Sequence, residues 1–251
     1  MNPKSCLPLL LLTPMLLILT HDIAVFSHEY AHGLMAWILG YKTSPFDINY
    51  GGTSWANILL LLNIDQAVDN NLIYSQGHPF FVGLIALAGP GINVLLYIVS
   101  YYLMQQTSIR SHAYLFYFLF LFNLMNLGNV YDYVPIRTFA TSGVMVDILD
   151  IEQGFNISPW IIYGIVGYLV LFMIWQFFVI SLPLAYRNLG LKSTAAKVSL
   201  LILCVLILFG WFALPGFFSH GAIPFFISAT SFFAIPGIIY LMWPETTSNF
   251  E

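Results

Sequence analysis

The sequence predicts an all-α protein that crosses a membrane about six times. Of its 251 residues, 59% are hydrophobic and only 7% are charged, whereas soluble domains carry about 25% charged residues. Long apolar stretches recur along the chain, and each approaches the roughly 20 residues that a helix needs to cross a bilayer. These observations predict an integral, multi-pass membrane protein in contact with lipid. No basic cluster points to a nucleic acid partner.

The first predicted span covers about Leu12 to Leu39 and ends at Gly40, a residue that often follows a helix. The apolar run before it superficially resembles a signal peptide, but no small-residue cleavage site follows, so we expect it to be retained. Residues 41–78 form an insert. Its part from Trp55 to Gln76 is expected to be a β-strand or an interfacial element, because its apolar piece is too short to span a membrane.

Two further spans complete a predicted three-helix core. The second covers about Pro79 to Met104 and contains the stretch Ala88 to Asn93, whose small residues permit close helix packing. The third covers about Tyr114 to Tyr131. It carries three asparagines on adjoining parts of one face, which are Asn123, Asn126 and Asn129. Because asparagine is costly against lipid, we expect this face to meet protein, water or a site.

The C-terminal part is predicted to contain three more spans made almost entirely of Leu, Ile, Phe and Val. They cover about Pro159 to Leu184, Ala195 to Pro215 and Ile223 to Trp243. We expect residues 1–155 to form the core that carries the chemistry. Residues 156–251 are expected to form a scaffold or lateral gate within the same integrated membrane domain.

The polar chemistry of the first span is concentrated at His28-Glu29-Tyr30-Ala31-His32. His28 and His32 are four residues apart and project from one helix face, a spacing that lets two imidazoles hold one metal ion. Glu29 lies beside them, where a carboxylate can take a proton from a water molecule activated by the metal. Because these groups are costly at membrane depth, the motif favours a functional role.

Two histidines are an incomplete ligand set, since a catalytic zinc usually has three protein ligands. No further His, Asp or Glu lies within reach on the same helix, so the third ligand must come from elsewhere. Spacing alone does not separate Asp132, at the end of the third span, from Asp147, at the start of a following short helix. Further candidates are Asp150, His78 and His112.

Two other elements accompany the histidine motif in order along the chain. The small-residue stretch Ala88 to Asn93 lies in the next span, and the asparagine-rich third span is followed by a proline and an aspartate. On these three elements, which cover about Leu12 to Phe155, the chain resembles the site-2 protease family of intramembrane zinc metalloproteases. It departs from the family where Asp132-Tyr-Val-Pro135 replaces Asn-x-x-Pro, and where no Asp-Gly pair follows.

This resemblance implies that His28 and His32 bind Zn²⁺ and that Glu29 polarises the catalytic water. It also implies that an aspartate near the third span completes the site. Asp147 opens the following helix as the family's aspartate does, which favours it over Asp132. The implied activity is hydrolysis of peptide bonds in transmembrane or membrane-tethered substrates.

A hydrolytic mechanism also needs a hydrogen-bond donor for the oxyanion. The candidates for this role and for positioning the substrate are the amides of Asn93, Asn123, Asn126 and Asn129. Arg137 is either another donor or the ion-pair partner of Asp132 or Asp147.

Two other functions are compatible with the sequence. A non-proteolytic protein of the same fold would use the polar cluster as a pseudoprotease chaperone or for metal or proton transport, and it would tolerate Glu29→Gln. A membrane oxidoreductase with histidine-bound iron would need more histidines near the site than the two that flank Glu29.

Overall fold

The computed structural model describes residues 6–141 and 147–244. Within these residues the regular structure is helical, without strands, and one isolated antiparallel bridge joins Asn49 to Asp65. Six helical segments in this part of the chain are long and apolar enough to cross a membrane. The predicted all-α, multi-pass membrane architecture is therefore confirmed.

The six spans agree in order and number with the predicted ones. Their bounds are Leu11–Ile38, Pro79–Gln105, Ala113–Ile136, Pro159–Asn188, Thr194–Phe218 and Ala222–Leu241. The third span extends past its predicted end at Tyr131 through Asp132–Ile136, a turn with a kink where Val134 leaves helical geometry. The fourth span contains a turn of π-helix at Phe177–Ser181 and ends at Asn188, slightly past its predicted end at Leu184.

The α-helices of the described residues are numbered α1 to α12 in chain order. They are α1 (Cys6–Ile38), α2 (Trp55–Leu60), α3 (Asn70–Ser75), α4 (Pro79–Gln105), α5 (Thr107–Arg110), α6 (Ala113–Tyr131), α7 (Asp147–Phe155), α8 (Pro159–Gln176), α9 (Leu182–Asn188), α10 (Thr194–Val205), α11 (Pro215–Phe218) and α12 (Ala222–Leu241). The fifth span is interrupted by a π-helical turn at Leu206–Gly210 and a 3₁₀ turn at Trp211–Ala213. This span is therefore a broken helix.

The insert between α1 and α4 is built from two short helices and turns. The stretch Trp55 to Gln76 thus forms α2 and α3 in place of a strand. Ser54 caps α2 because its side-chain oxygen accepts a backbone N–H of the first turn. Lys42 donates hydrogen bonds to the backbone oxygens of Asp47 and Gln66, which ties the two sides of the insert together.

The centre of the fold is formed by α4 and α6. Helix α4 packs against α1, α6 and α7, and nearly every residue of α6 from Phe116 onward is buried. The Nδ2 atom of Asn123 donates to the Tyr97 backbone oxygen at 2.8 Å and to Ser100 Oγ at 2.9 Å. The asparagine face of α6 therefore meets protein, as expected.

One buried hydrophobic cluster joins α1, α4 and α6 to the C-terminal helices. The two parts predicted from the sequence, residues 1–155 and 156–251, therefore share a core.

Candidate metal centre

His28 and His32 lie on one face of α1, and their Nε2 atoms are 2.9 Å apart. Only 3% and 1% of their surfaces are exposed. His28 precedes the end of the span at Ile38 by about 15 Å along the helix axis, at 1.5 Å per residue. That distance is about half the thickness of the hydrocarbon core of a bilayer. The pair therefore lies well inside the membrane-spanning part of α1.

Asp147, the first residue of α7, brings a carboxylate to the two histidines. Its Oδ2 lies 3.2 Å from His28 Nε2 and 3.6 Å from His32 Nε2. The ligand atoms of the three residues all lie within 4.8 Å of one another, so this group could hold a metal ion. Burial alone would raise the pKa of Asp147, but the adjacent imidazoles hold it well below its ordinary value. The direction of this shift favours the carboxylate form, which is the form that binds a metal ion.

Hydrogen bonds on the far side of each imidazole fix the direction of its lone pair. His28 Nδ1 donates to Asn93 Oδ1 at 2.7 Å, and His32 Nδ1 donates to the Ile85 backbone oxygen at 2.6 Å. Each ring therefore carries a proton on Nδ1, so Nε2 is the nitrogen that can ligate a metal. Because two Nε2 atoms and the Asp147 carboxylate converge, the donor set is suited to a cation.

Asn93 positions His28 and has no free donor. Its Nδ2 donates to the Ala24 backbone oxygen at 3.3 Å and to Asn126 Oδ1 at 3.0 Å, which turns Oδ1 toward His28. Asn126 and Asn129 each donate Nδ2 to the backbone oxygen four residues earlier in α6, at 2.8 and 3.0 Å. The amide groups predicted to stabilise an oxyanion or position a substrate thus all take part in hydrogen bonds within the protein.

A cavity of about 350 Å³ adjoins His28, whereas His32 and Asp147 do not line it. Glu29 and His28 both line it. The Glu29 carboxyl is buried, and its Oε2 has no hydrogen-bond partner among the described residues. The apolar side of the cavity is formed by Leu60, Leu61, Leu62, Trp211, Phe212 and Phe218. Glu29 is therefore available to accept a proton from a molecule that enters the cavity.

The alternative third ligand, Asp132, forms a buried ion pair with Arg137. Arg137 Nε donates to Asp132 Oδ1 at 2.9 Å, and Nη2 donates to Oδ2. The guanidinium also lies over the ring of Tyr133, 4.4 Å from the ring centroid. Both oxygens of Asp132 are thus engaged by Arg137, which takes the ion-pair role expected as one of its alternatives. Asp147 is the aspartate beside the histidines.

The other predicted candidates for the third ligand lie in different surroundings. Asp150 accepts hydrogen bonds from Asn70 at 2.8 Å and Tyr74 at 3.3 Å, which ties α7 to α3. His78 and His112 are exposed at the N-termini of α4 and α6. None of the three belongs to the group formed by His28, His32 and Asp147 in the described part of the chain.

Sequence reasoning missed Tyr133, whose hydroxyl lies 2.9 Å from His28 Nε2. The only signal for it was its position, directly after Asp132 in the polar stretch that ends the third span. A tyrosine in a membrane helix is common near the lipid interface, so its type alone does not indicate a site. Its position follows from the kink within Asp132–Ile136, where Val134 leaves helical geometry, and the hydrophobic pattern does not reveal this kink.

Comparisons of the chain with protein-family models, with curated proteins and with solved structures found no match. No relative therefore assigns a function to these residues. The activity has to be inferred from the geometry and chemistry of the site.

Gly89→Ala is expected to weaken metal binding by about tenfold or more. A Cβ at Gly89 would lie against the Nε2 atoms of both His28 and His32, and it would push apart the atoms that face the metal. Gly91 provides the matched control, because a Cβ there has nothing within 4 Å. Competition for Zn²⁺ between each purified full-length variant and a chromophoric chelator measures the affinities. Equal affinities for the two variants would contradict a metal site at these histidines.

Proposed function

We propose that the protein is an intramembrane zinc metalloprotease that hydrolyses peptide bonds of transmembrane or membrane-tethered substrates. One observation carries the proposal. Asp147, from α7, meets His28 and His32 on the membrane-spanning part of α1, and Glu29 lines the adjoining cavity. Metal ligands, a neighbouring proton acceptor and a cavity that can receive a substrate are the parts that metal-assisted hydrolysis requires.

The donor set fits Zn²⁺. Zinc binds imidazole nitrogen and carboxylate oxygen, and catalytic zinc sites combine three protein ligands with one open position. His28 and His32 would each supply Nε2, and Asp147 would supply a carboxylate oxygen. The space at Gly89 also fits, because a side chain there would occupy the region that the two Nε2 atoms face.

When bound, Zn²⁺ acidifies water and polarises the carbonyl of a peptide bond. Glu29 would take the proton of the attacking water and pass it to the nitrogen of the leaving amine. Asn93 and the Ile85 backbone oxygen keep the two imidazoles in the tautomer that leaves Nε2 free. Burial of all these groups excludes bulk water and strengthens their electrostatic interactions.

The cavity suits a peptide from a membrane segment. Its apolar wall can contact the hydrophobic side chains of such a segment, while Glu29 and His28 face the backbone. A helical substrate would have to unwind locally, because its backbone carbonyls are already hydrogen-bonded. The broken part of the fifth span at Leu206–Ala213 borders this cavity through Trp211 and Phe212. This wall is thus the part of the site most suited to admitting an unwound segment.

Removal and return of zinc tests the proposal. Purified full-length protein in lipid nanodiscs is expected to cleave a reporter with a membrane-embedded segment, to lose this activity after chelation, and to recover it with about one equivalent of Zn²⁺. Cleavage fragments are followed by mass spectrometry, and mock-treated protein is the control. Cleavage that is unaffected by complete metal removal, or the absence of cleavage from zinc-loaded protein across a panel of membrane segments, would refute the assignment.

A further inference from the structure

The asparagine amides near the site are largely committed to hydrogen bonds within the protein. Both N–H groups of Asn93 are used by the Ala24 backbone oxygen and by Asn126 Oδ1. Asn126 and Asn129 each donate one N–H within α6. Asn129 keeps a second N–H and lines the cavity, but it makes no hydrogen bond to His28, His32 or Asp147 in the described part of the chain. A donor that lies directly against a metal-ligating atom is better placed for an oxyanion.

Tyr133 has the geometry of that donor. Its hydroxyl lies 2.9 Å from His28 Nε2, the atom that His28 offers to a metal. The residue is buried, and it lines the same cavity as Glu29. The hydroxyl is thus next to the position where a substrate carbonyl would meet the metal ligands.

The Tyr133 ring is fixed by its neighbours. It lies nearly parallel to the His28 ring, with an interplanar angle of 5° and centroids 5.0 Å apart. The Arg137 guanidinium lies over the ring and is itself held by Asp132. A cation over an aromatic ring draws electron density from it, which makes the phenol a stronger hydrogen-bond donor. Asp132 thus holds the Arg137 guanidinium in place, and the guanidinium in turn orients the Tyr133 ring and polarises its hydroxyl.

Metal binding would change what the Tyr133 hydroxyl can bond to. In the structure, the hydroxyl lies within hydrogen-bond distance of His28 Nε2, and a neutral imidazole has one lone pair at that atom. If His28 supplied that lone pair to a metal, the hydroxyl would need another acceptor. A buried hydroxyl without an acceptor is costly, so its O–H group becomes available to a substrate oxygen.

We propose that Tyr133 is a catalytic residue whose hydroxyl donates a hydrogen bond to the scissile carbonyl oxygen as that oxygen becomes negatively charged. This inference rests on the proposed proteolytic function. The hydroxyl keeps its proton throughout, and the bond strengthens as charge develops on the substrate oxygen. Such a donor stabilises the transition state more than the ground state, and therefore acts on kcat.

Tyr133→Phe tests the role, with Tyr131→Phe as the matched control. Tyr131 is equally buried, but its hydroxyl donates to Ser231 Oγ at 2.8 Å and does not line the cavity. Tyr133→Phe is expected to lower kcat by about 10² to 10³ while KM and zinc content stay close to those of the unmodified protein. Tyr131→Phe should retain kcat.

A binding measurement gives a readout that is independent of turnover. A phosphinic peptide, which carries a tetrahedral anionic group in place of the scissile amide, should bind zinc-loaded Tyr133→Phe more weakly by a factor similar to the loss in kcat. A change confined to KM, or unchanged kcat and phosphinate affinity in Tyr133→Phe when the unmodified protein cleaves normally, would overturn the role of Tyr133 alone. Failure of the zinc-loaded unmodified protein both to cleave the reporter and to bind the phosphinate would overturn the proteolytic function together with this inference.

Discussion

Glu29→Gln is expected to leave the bound metal in place and to reduce peptide cleavage by between about 10² and 10⁴. Glutamine has nearly the shape of glutamate but cannot take the proton of the attacking water. The side chain belongs to no ligand group in the described residues, so zinc content should be retained. Zinc is measured by elemental mass spectrometry, and cleavage of the membrane-embedded reporter is measured on the same samples.

Glu152→Gln is the matched control for this substitution. Glu152 is a partly buried glutamate on α7, and one of its carboxylate oxygens also has no hydrogen-bond partner among the described residues. It does not line the cavity. Loss of the Glu152 carboxylate should therefore leave the cleavage rate unchanged. The comparison separates removal of the proton acceptor from general loss of a buried acid.

The same substitution distinguishes the protease from its main alternative. A metal carrier or a substrate-binding pseudoprotease needs the histidines but has no step that requires the Glu29 carboxylate. Cleavage that survives in Glu29→Gln would therefore contradict Glu29 as the general base. Loss of zinc in that variant would instead show that Glu29 belongs to the ligand set, contrary to the convergence of His28, His32 and Asp147.

The spans and the histidine motif could be predicted because both depend on short-range pattern. A run of about 20 apolar residues is sufficient to indicate a membrane helix, and the four-residue spacing of His28 and His32 is sufficient to put two rings on one face. The structure of the insert, residues 41–78, could not be predicted from short-range pattern. Its short apolar piece was compatible with a strand or an interfacial element, and in the structure it forms α2. Short apolar runs do not distinguish these alternatives.

The rest of the site depends on packing between distant parts of the chain. Asp147 reaches His28 across 119 positions of sequence, and no local pattern encodes that approach. Asp132 pairs with Arg137 because the kinked turn at Asp132–Ile136 brings the two residues together. Asn93 was predicted as a possible oxyanion donor, yet the packing of α4 against α1 turns its oxygen to His28. The residue types alone were sufficient to identify the polar residues of the site. The hydrogen bonds that each of them makes depend on how the helices pack, and these could not be predicted from the sequence.

The two aspartates that spacing alone does not separate should respond oppositely to the loss of their charge. Asp147→Asn removes the anion beside two imidazole lone pairs, and we expect zinc affinity to fall by more than about 100-fold, with loss of cleavage. Asp132→Asn leaves His28, His32 and Asp147 intact, so zinc should still bind. It instead leaves the buried Arg137 without its carboxylate, and removing one member of a buried pair costs about 3 to 5 kcal/mol.

Each variant is measured in both ways, by zinc competition with a chelator and by unfolding in detergent with added denaturant. The zinc-binding defect should belong to Asp147→Asn and the larger stability defect to Asp132→Asn. The reverse pattern, with zinc lost from Asp132→Asn and kept by Asp147→Asn, would make Asp132 the ligand. Asp132 would then have to leave Arg137 to reach the histidines. The present geometry opposes that rearrangement, because both Asp132 oxygens are bound to the guanidinium and the Asp147 carboxylate already lies 3.2 Å from His28 Nε2.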